Sequence, residues 1–394
     1  MKPTSAMRLV HEVRRARRGA GLSLYHTYGS PSLRNPRFLL DKAVWQWLIH
    51  YATVMFTPRQ HFPVYPASPA GLPGVFAMPD PCRVALAGDW GSGTPSAYRV
   101  MQRIREQAPD ITVHLGDIYY SGTVEEVEQY FLGDDDWYRG PHGTYALNAN
   151  HEMYSGGAGY FERVLPALNQ QTSYFCLANT HWRLVAVDTG YYAKFFPLLE
   201  LLASSTLLKL HEANLRWLQE VVFADAGDRR PVILLSHHQW FSAFEDEYTR
   251  LGQQLRPYLD RLTLWFWGHE HRFAAYGAFG LGGAPQVRAR CIGHGGMPVE
   301  LGEQPKRQRH LVCYDTRANP ENAIGNEPIG YCGYALLGFN ANTLTVQYYD
   351  EDGELLLEER WVSDPATHQT TGSITHDAHK LHLVDGASIE GLVQ

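Results

Sequence analysis

From Arg83 onward the chain alternates short apolar runs, amphipathic stretches and glycine-bearing turns. CRVALAGD (82–89) reads as a buried strand. Pro95–Gln107 carries apolar residues at helical spacing behind a Thr94 cap. ITVHLGD (111–117) predicts a second buried strand and TVEEVEQYF (123–131) a second helix. TYALNANH, YFCLAN and WRLVAVD follow as short strands, KLHEANLRWLQEVV (209–222) as an amphipathic helix and PVILLSH (231–237) as a strand. EYTRLGQQLRPYLDRL (247–262) predicts a helix, and LTLWFWGH (262–269) a further strand. Strands alternating with helices imply parallel crossover units. After residue 271 helical periodicity stops. VRARCIG, HLVCYD, YALLGFN, LTVQYYD and ELLLEERW predict strands, with DEDGE as a hairpin turn. The pattern is α/β passing into all-β, with two sheets packed face to face.

Residues 1–80 stand apart as a helical and irregular extension. They hold a basic run (HEVRRARRG, 11–19), a docked-helix candidate at 43–56 and a proline-rich connector, HFPVYPASPAGLPG. The catalytic domain is expected over 81–362, and a polar, irregular tail over 363–394. Among 394 residues, 44% are hydrophobic and 19% charged, which indicates a globular domain. A net charge of −7 disfavours a nucleic-acid surface, and the 11–19 run reads as a solvated helix face. No apolar stretch is long enough to span a membrane. The N-terminus lacks the apolar core of a secretory signal, so a cytoplasmic location is expected. The five cysteines are scattered without a CxxC pair, which excludes a zinc ribbon and a complete disulfide framework.

Chemistry gathers where the buried strands end. Gly88-Asp89, Gly116-Asp117, Asn150-His151-Glu152, Ser236-His237-His238 and Gly268-His269-Glu270-His271 close five successive strand-bearing segments. In open α/β sheets ligands bind beyond the carboxyl ends of strands. One Asp at a strand end is ordinary turn chemistry, and five such endings in a row are not. In an extended segment His269 and His271 would face one way. Carboxylate, amide and imidazole donors together suit Mn, Fe or Zn. Their number exceeds what one ion takes from protein, so two ions sharing a carboxylate are expected.

With these residues in view, the chain resembles the calcineurin-like metallophosphoesterase superfamily. GDWG (88–91), GDIYY (116–120), NANHE (148–152), LLSHH (234–238) and GHEH (268–271) match its five motifs in order. The resemblance is nearest to the purple acid phosphatases. These have Gly where most relatives have a histidine two residues after the first aspartate, and recover the ligand as a tyrosine three residues after the second. Gly91 and Tyr120 fit that exchange. Tyr119 is expected to point the other way, into packing.

The resemblance implies a four-layer αββα sandwich with two packed mixed sheets. It implies that Asp89, Tyr120 and His271 hold a first ion, expected to be iron, and that Asp117 bridges. Asn150, His237 and His269 would hold a second ion: iron, zinc or manganese. His237 aligns with the family's ligand, which leaves His238 to substrate or to supporting the ligands. His151 would assist the leaving group while a metal-bound hydroxide attacks phosphorus. The substrate would be a small phosphate ester. A phosphomonoesterase is the leading reading. A phosphodiesterase with the same metal pair and a non-catalytic binding relative are the alternatives. His294, Glu152, Glu270 and Asp188 are candidates for touching substrate or supporting ligands. The aromatic residues Tyr191, Tyr192, Phe195, Phe196, Trp240 and Phe241 read as packing. Ala149 stands where the family usually has Gly. Oligomeric state is not legible.

Overall fold

A computed structural model describes residues 57–66, 72–119, 121–133, 136–193, 208–280, 287–307, 310–324 and 327–394. The 43–56 helix, the basic run at 11–19, Phe195, Phe196 and Tyr120 lie outside the described residues. Two large mixed sheets dominate. The nine-stranded sheet runs, edge to edge, β1 (Val75–Ala77), β5 (Phe175–Ala178), β6 (Arg183–Ala186), β7 (Val232–Ser236), β8 (Leu262–Trp267), β10 (Val287–Ile292), β9 (Phe273–Phe279), β12 (Leu311–Tyr314) and β19 (His382–Leu383). The seven-stranded sheet runs β18 (Thr370–Asp377), β17 (Leu355–Ser363), β16 (Thr343–Asp350), β15 (Gly333–Asn340), β2 (Cys82–Ala87), β3 (Ile111–His114) and β4 (Thr144–Ala146). A small sheet of β11 (Val299–Glu300), β14 (Glu327–Gly330) and β13 (Ala318–Ile324) completes the set.

The alternating βα segments give the parallel parts, β2–β3–β4 in one sheet and β6–β7–β8 in the other, and β10 from the helix-free segment adds to β8 in parallel. The helix-free segment supplies antiparallel neighbours such as β15, β16 and β17. Val84, Leu86, Leu337 and Phe339 of one sheet meet Ile233, Leu235, Leu264 and Phe266 of the other in a shared core. Helix α1 (Pro95–Gln107) starts where the predicted cap lies, with Thr94 Oγ1 accepting from Ala97 N at 3.1 Å and Pro95 in the first turn. Its Val100 and Ile104, with Val127 of α2 (Val124–Tyr130), cover Ala85, Ala87 and Leu336 on the outer face. On the other outer face, Trp217 of α4 (Glu212–Trp217) and Leu251 and Leu255 of α5 (Thr249–Leu255) pack on Val185, Leu234 and Trp265. The result is the four-layer αββα sandwich.

Two expected helices change form. The 209–222 helix is α-helical to Trp217 and then widens to a π-helix over Leu218–Val222. The 247–262 helix tightens to a 3₁₀ turn from Arg256, where Pro257 removes a backbone donor. The 363–394 stretch is not an irregular tail. β18 pairs antiparallel with β17 along most of its length, β19 joins the edge of the other sheet, and Leu392 is buried. Its hydrophobic pattern is faint because β18 is an edge strand with both faces largely wet. Among the described residues no helix is long and apolar enough to cross a membrane.

Candidate metal centre

The carboxyl ends of β2, β3, β7 and β8, with the loop after β4, converge at one rim where the two sheets meet. Gly88 N donates to Ile292 O at 3.3 Å, tying the sheets together. Asp89, Asp117 and His269 all turn left-handed there, with φ of 59°, 68° and 67°. Asp and His tolerate this conformation better than most residues, and strained backbone of this kind clusters at functional sites. Gly116 (φ +100°) admits the crossing: a Cβ on it would lie 2.9 Å from His237 Nδ1. Gly91 (φ +92°) has its own reason to be glycine, since a Cβ would also press on Ile118. Ala149 is extended (φ −141°), which suits alanine as well as glycine.

Asp89 and Asp117 form the floor and are buried. Asp89 Oδ2 accepts from His269 N at 2.8 Å, and its Oδ1 lies 3.5 Å from His271 Nε2. Asp117 Oδ2 lies 3.3 Å from His237 Nε2 and 3.8 Å from His151 Nε2, while Asp117 Oδ1 accepts from His151 N at 3.1 Å. Glu152, α3 (Asn150–Tyr154), accepts from Asp117 N (3.2 Å) and Ile118 N (2.8 Å), fixing the loop that aims Asp117. His237 Nδ1 faces Leu115 O at 2.9 Å, so the ring donates there and turns Nε2 inward as an acceptor. The His238 ring is positioned by Thr189 Oγ1, which lies 3.0 Å from its Nδ1 and accepts from His238 N at 3.0 Å.

Two donor groups result, each with its atoms within 4.8 Å of one another: Asp89, Asp117 and His237, and His237, His238 and His269. His237 belongs to both. Two buried acceptors, His237 Nε2 within the cluster and Oδ1 of Asn150, the neighbour of His151, have no hydrogen-bond partner among the described residues. Buried polar atoms are normally satisfied, so these two mark places where a cation fits.

Electrostatics agree. Burial pushes the Asp117 carboxyl up, but the His237 and His151 imidazoles outweigh it and hold it well below the carboxylate range. Burial lowers His237, but Asp117 outweighs that and raises it to about 9. The pair therefore calls for positive charge between its members, which a proton or a cation can supply. Burial, and then the His237 charge, lower His269 to about 3, and burial likewise lowers His238. Both rings stay neutral, the form that binds metal. Burial and the Asp117 charge raise Glu152 to about 8.

Of the residues named from sequence, Asp89, Asp117, Asn150, His151, His237, His238, His269, His271 and Glu152 come together. His269 and His271 arrive by a tight turn, with Glu270 N bonded to Gly268 O at 2.7 Å and Arg272 N to Glu270 O at 2.6 Å, and not by extended alternation. Asp188 does not reach the cluster. It accepts from Gly190 N and Tyr191 N at 2.8 Å and from Asn148 and Ser173, which shapes the turn presenting Thr189 to His238. His294 turns away, packing on Phe273 and Gly333 with Asp315 as its nearest charged influence. Glu270 is buried and accepts from Ser242 at 2.7 Å. Tyr191 bonds Gln60 O, and Trp240 and Phe241 pack on Phe279.

Tyr119 corrects the sequence reading. Its hydroxyl donates to Asp89 Oδ1 at 2.8 Å and lies 3.0 Å from His271 Nε2 and 3.3 Å from Asp117 Oδ2. Alternation fails here because Asp117 is left-handed, which re-aims the side chains after it. Tyr248, whose hydroxyl is 3.2 Å from His269 Nε2, and Tyr154, which accepts from Asn150 Nδ2 at 3.0 Å, also contact these residues. No motif marks either one.

Fold and site together define a phosphoesterase-type sandwich with a polar cluster at its strand ends. Residues 82–273 match the family model of the calcineurin-like phosphoesterases, so this part of the chain is a calcineurin-like phosphoesterase domain. Among solved structures it is similar to a purple acid phosphatase, PPD1, from yellow lupin seeds (14% identity, TM-score 0.48). That match covers 78% of this chain and 57% of the lupin chain, so the chain spans little more than half its length. It is also similar to a dimetal phosphatase from Danio rerio (12%, TM-score 0.43, covering 69% and 97%) and to GAP50 of the Plasmodium inner membrane complex (14%, TM-score 0.46, covering 71% and 88%). No curated protein matches the chain.

Proposed function

We propose that the protein is a dinuclear metal-dependent phosphatase acting on small phosphomonoesters, of the purple acid phosphatase kind. The observation that carries this is the pair of donor groups meeting at His237, beside two buried acceptors without partners. In this reading Asp89, His271 and Tyr120 hold one cation, with iron expected, and Asn150, His237 and His269 hold the other, which is iron, zinc or manganese. Asp117 serves both. When bound, the cations supply an activated water and neutralise the phosphoryl oxygens.

The chain's own groups do the rest. His151, tied by its main-chain N–H to Asp117, presents Nε2 at the rim, where it donates a proton to the departing alkoxide. Leu115 O fixes the His237 ring so that it offers Nε2, and Thr189 holds the His238 ring in place. Tyr119 steadies Asp89 by hydrogen bonding. Comparing hydrolysis of an aryl phosphate with that of a bis-aryl phosphate by the metal-loaded protein tests the reading. Faster turnover of the monoester supports it, and the reverse makes the protein a diesterase. Turnover of neither with both cations bound makes it a binding relative of the fold.

A further inference from the structure

A second polar concavity lies at the opposite end of the same strands. A cleft of about 490 Å³ is bounded by Arg229, Arg230, Arg261 and Arg288, with Thr263 and Thr370 between them and Asp260 as the one carboxylate in its wall. These residues lie at or just before the start of β7, β8, β10 and β18, so the cleft opens between the two sheets. The candidate metal centre lies beyond the far ends of β7 and β8. The six residue-to-residue steps from Pro231 to His237 put the two sites about 20 Å apart at the rise of a strand.

The charge in this cleft is not balanced. Asp228 beneath it is already taken up by Arg230 at 2.7 Å and by the buried Arg183 at 3.3 Å. Arg261 donates only to the main-chain oxygen of Asp228, and Arg288 donates to Gln394 O while stacking on Trp361. Arg229 is exposed, and no hydrogen bond or ion pair holds its guanidinium among the described residues. Setting aside Arg288, on which the Glu359 carboxylate acts, four guanidinium groups (Arg183, Arg229, Arg230 and Arg261) thus meet two carboxylates, Asp228 and Asp260, in a chain whose net charge is −7. Two nitrogens of Arg183, 3% exposed, have no hydrogen-bond partner. Like charges gathered in a concave wall repel one another and are costly without a counter-charge.

We propose that this cleft is a binding site for a small molecule carrying at least two phosphate or phosphonate groups. Arginine forks match phosphate oxygens in pairs. The volume is that of a small-molecule site rather than of one inorganic ion. Guanidinium groups dominate the lining, with the Thr263 and Thr370 hydroxyls and the His368 imidazole beside them, so the phosphates carry most of the recognition. The inference does not depend on the phosphatase reading.

Methylenediphosphonate is a suitable probe, because its P–C–P bridge is not hydrolysed by phosphatases. Calorimetric titration of the full-length, metal-loaded protein is expected to show a site that persists in Asp117→Asn, where the metal cluster is broken. That site should weaken at least about tenfold in Arg229→Glu, the loss expected of one charge-assisted contact. Arg288→Gln should weaken it too. Arg229 is on the surface, so its variant should keep the wild-type unfolding midpoint and aryl phosphatase activity. Wild-type affinity in both arginine variants, or no binding to Asp117→Asn, overturns the proposal.

Discussion

Replacing His151 with alanine separates chemistry from metal binding. The side chain is 17% exposed and touches Tyr119 and Tyr154 edge-on or tilted, with ring centroids 4.4 and 4.8 Å away. Its main-chain N–H, not its ring, makes the bond to Asp117 Oδ1. Alanine keeps that bond, so the cation-binding carboxylate stays aimed and stability falls by no more than about 2 kcal/mol. What is lost is proton donation. General acid catalysis contributes about 10²–10⁴ in rate, or about 2.7–5.5 kcal/mol of barrier. The loss should depend on the leaving group. An alkyl phosphate, whose alkoxide needs the proton, should lose the full factor in kcat, and a nitrophenyl phosphate less than about tenfold. Steady-state kinetics on both esters, with elemental analysis of the same preparation, make the check. Equal losses on both esters, or loss of a metal ion along with turnover, would refute the assignment.

Other consequences are independent of this one. With iron bound and oxidised, the protein should absorb visible light through a tyrosinate-to-iron transition. Tyr120→Phe should abolish that band and Tyr119→Phe should keep it, and the opposite pattern would transfer the ligand role to Tyr119. Burial lowers His294 to about 4, against an ordinary value near 6.5. Between those values the unfolded chain takes up a proton that the folded one refuses, so stability present above pH 6.5 is lost as pH falls toward 4. The contribution is up to about 3 kcal/mol. His294→Gln should flatten the urea midpoint across that window, and an unchanged slope would discount the residue. Between the sheets, Arg290 Nε and Glu359 Oε1 pair at 2.7 Å, both fully buried, with Tyr348 and Trp361 also donating to the carboxylate. Glu359→Ala should cost about 3–5 kcal/mol in urea unfolding, because it strands a buried cation, and Arg290→Met beside Glu359→Leu should recover much of that. A loss under about 1 kcal/mol in the single variant would contradict it.

The strand ends were legible because each couples a buried apolar run to a polar residue at a turn, and that coupling is local. The α1 helix was legible for the same reason, with Thr94 and Pro95 marking its start. β9 was not: FAAYGAF mixes aromatic residues with alanine and glycine and has no alternation, since both its faces are covered. β18 was hidden by the reverse condition, an edge strand without a buried face. The direction of Tyr119 depended on the left-handed turn at Asp117, which periodicity cannot reveal. Tyr248 reaches His269 from α5's leading edge through tertiary packing alone, as Thr189 reaches His238 from a turn held by Asp188.

Metal content is the most direct measure of the central claim that one cluster serves two cations through a shared carboxylate. Elemental analysis of the purified full-length protein should give close to two ions per chain, and the Asp117→Asn variant one or none. A wild-type protein that binds a single ion or none after loading, or an Asp117→Asn variant that retains both, would contradict the account.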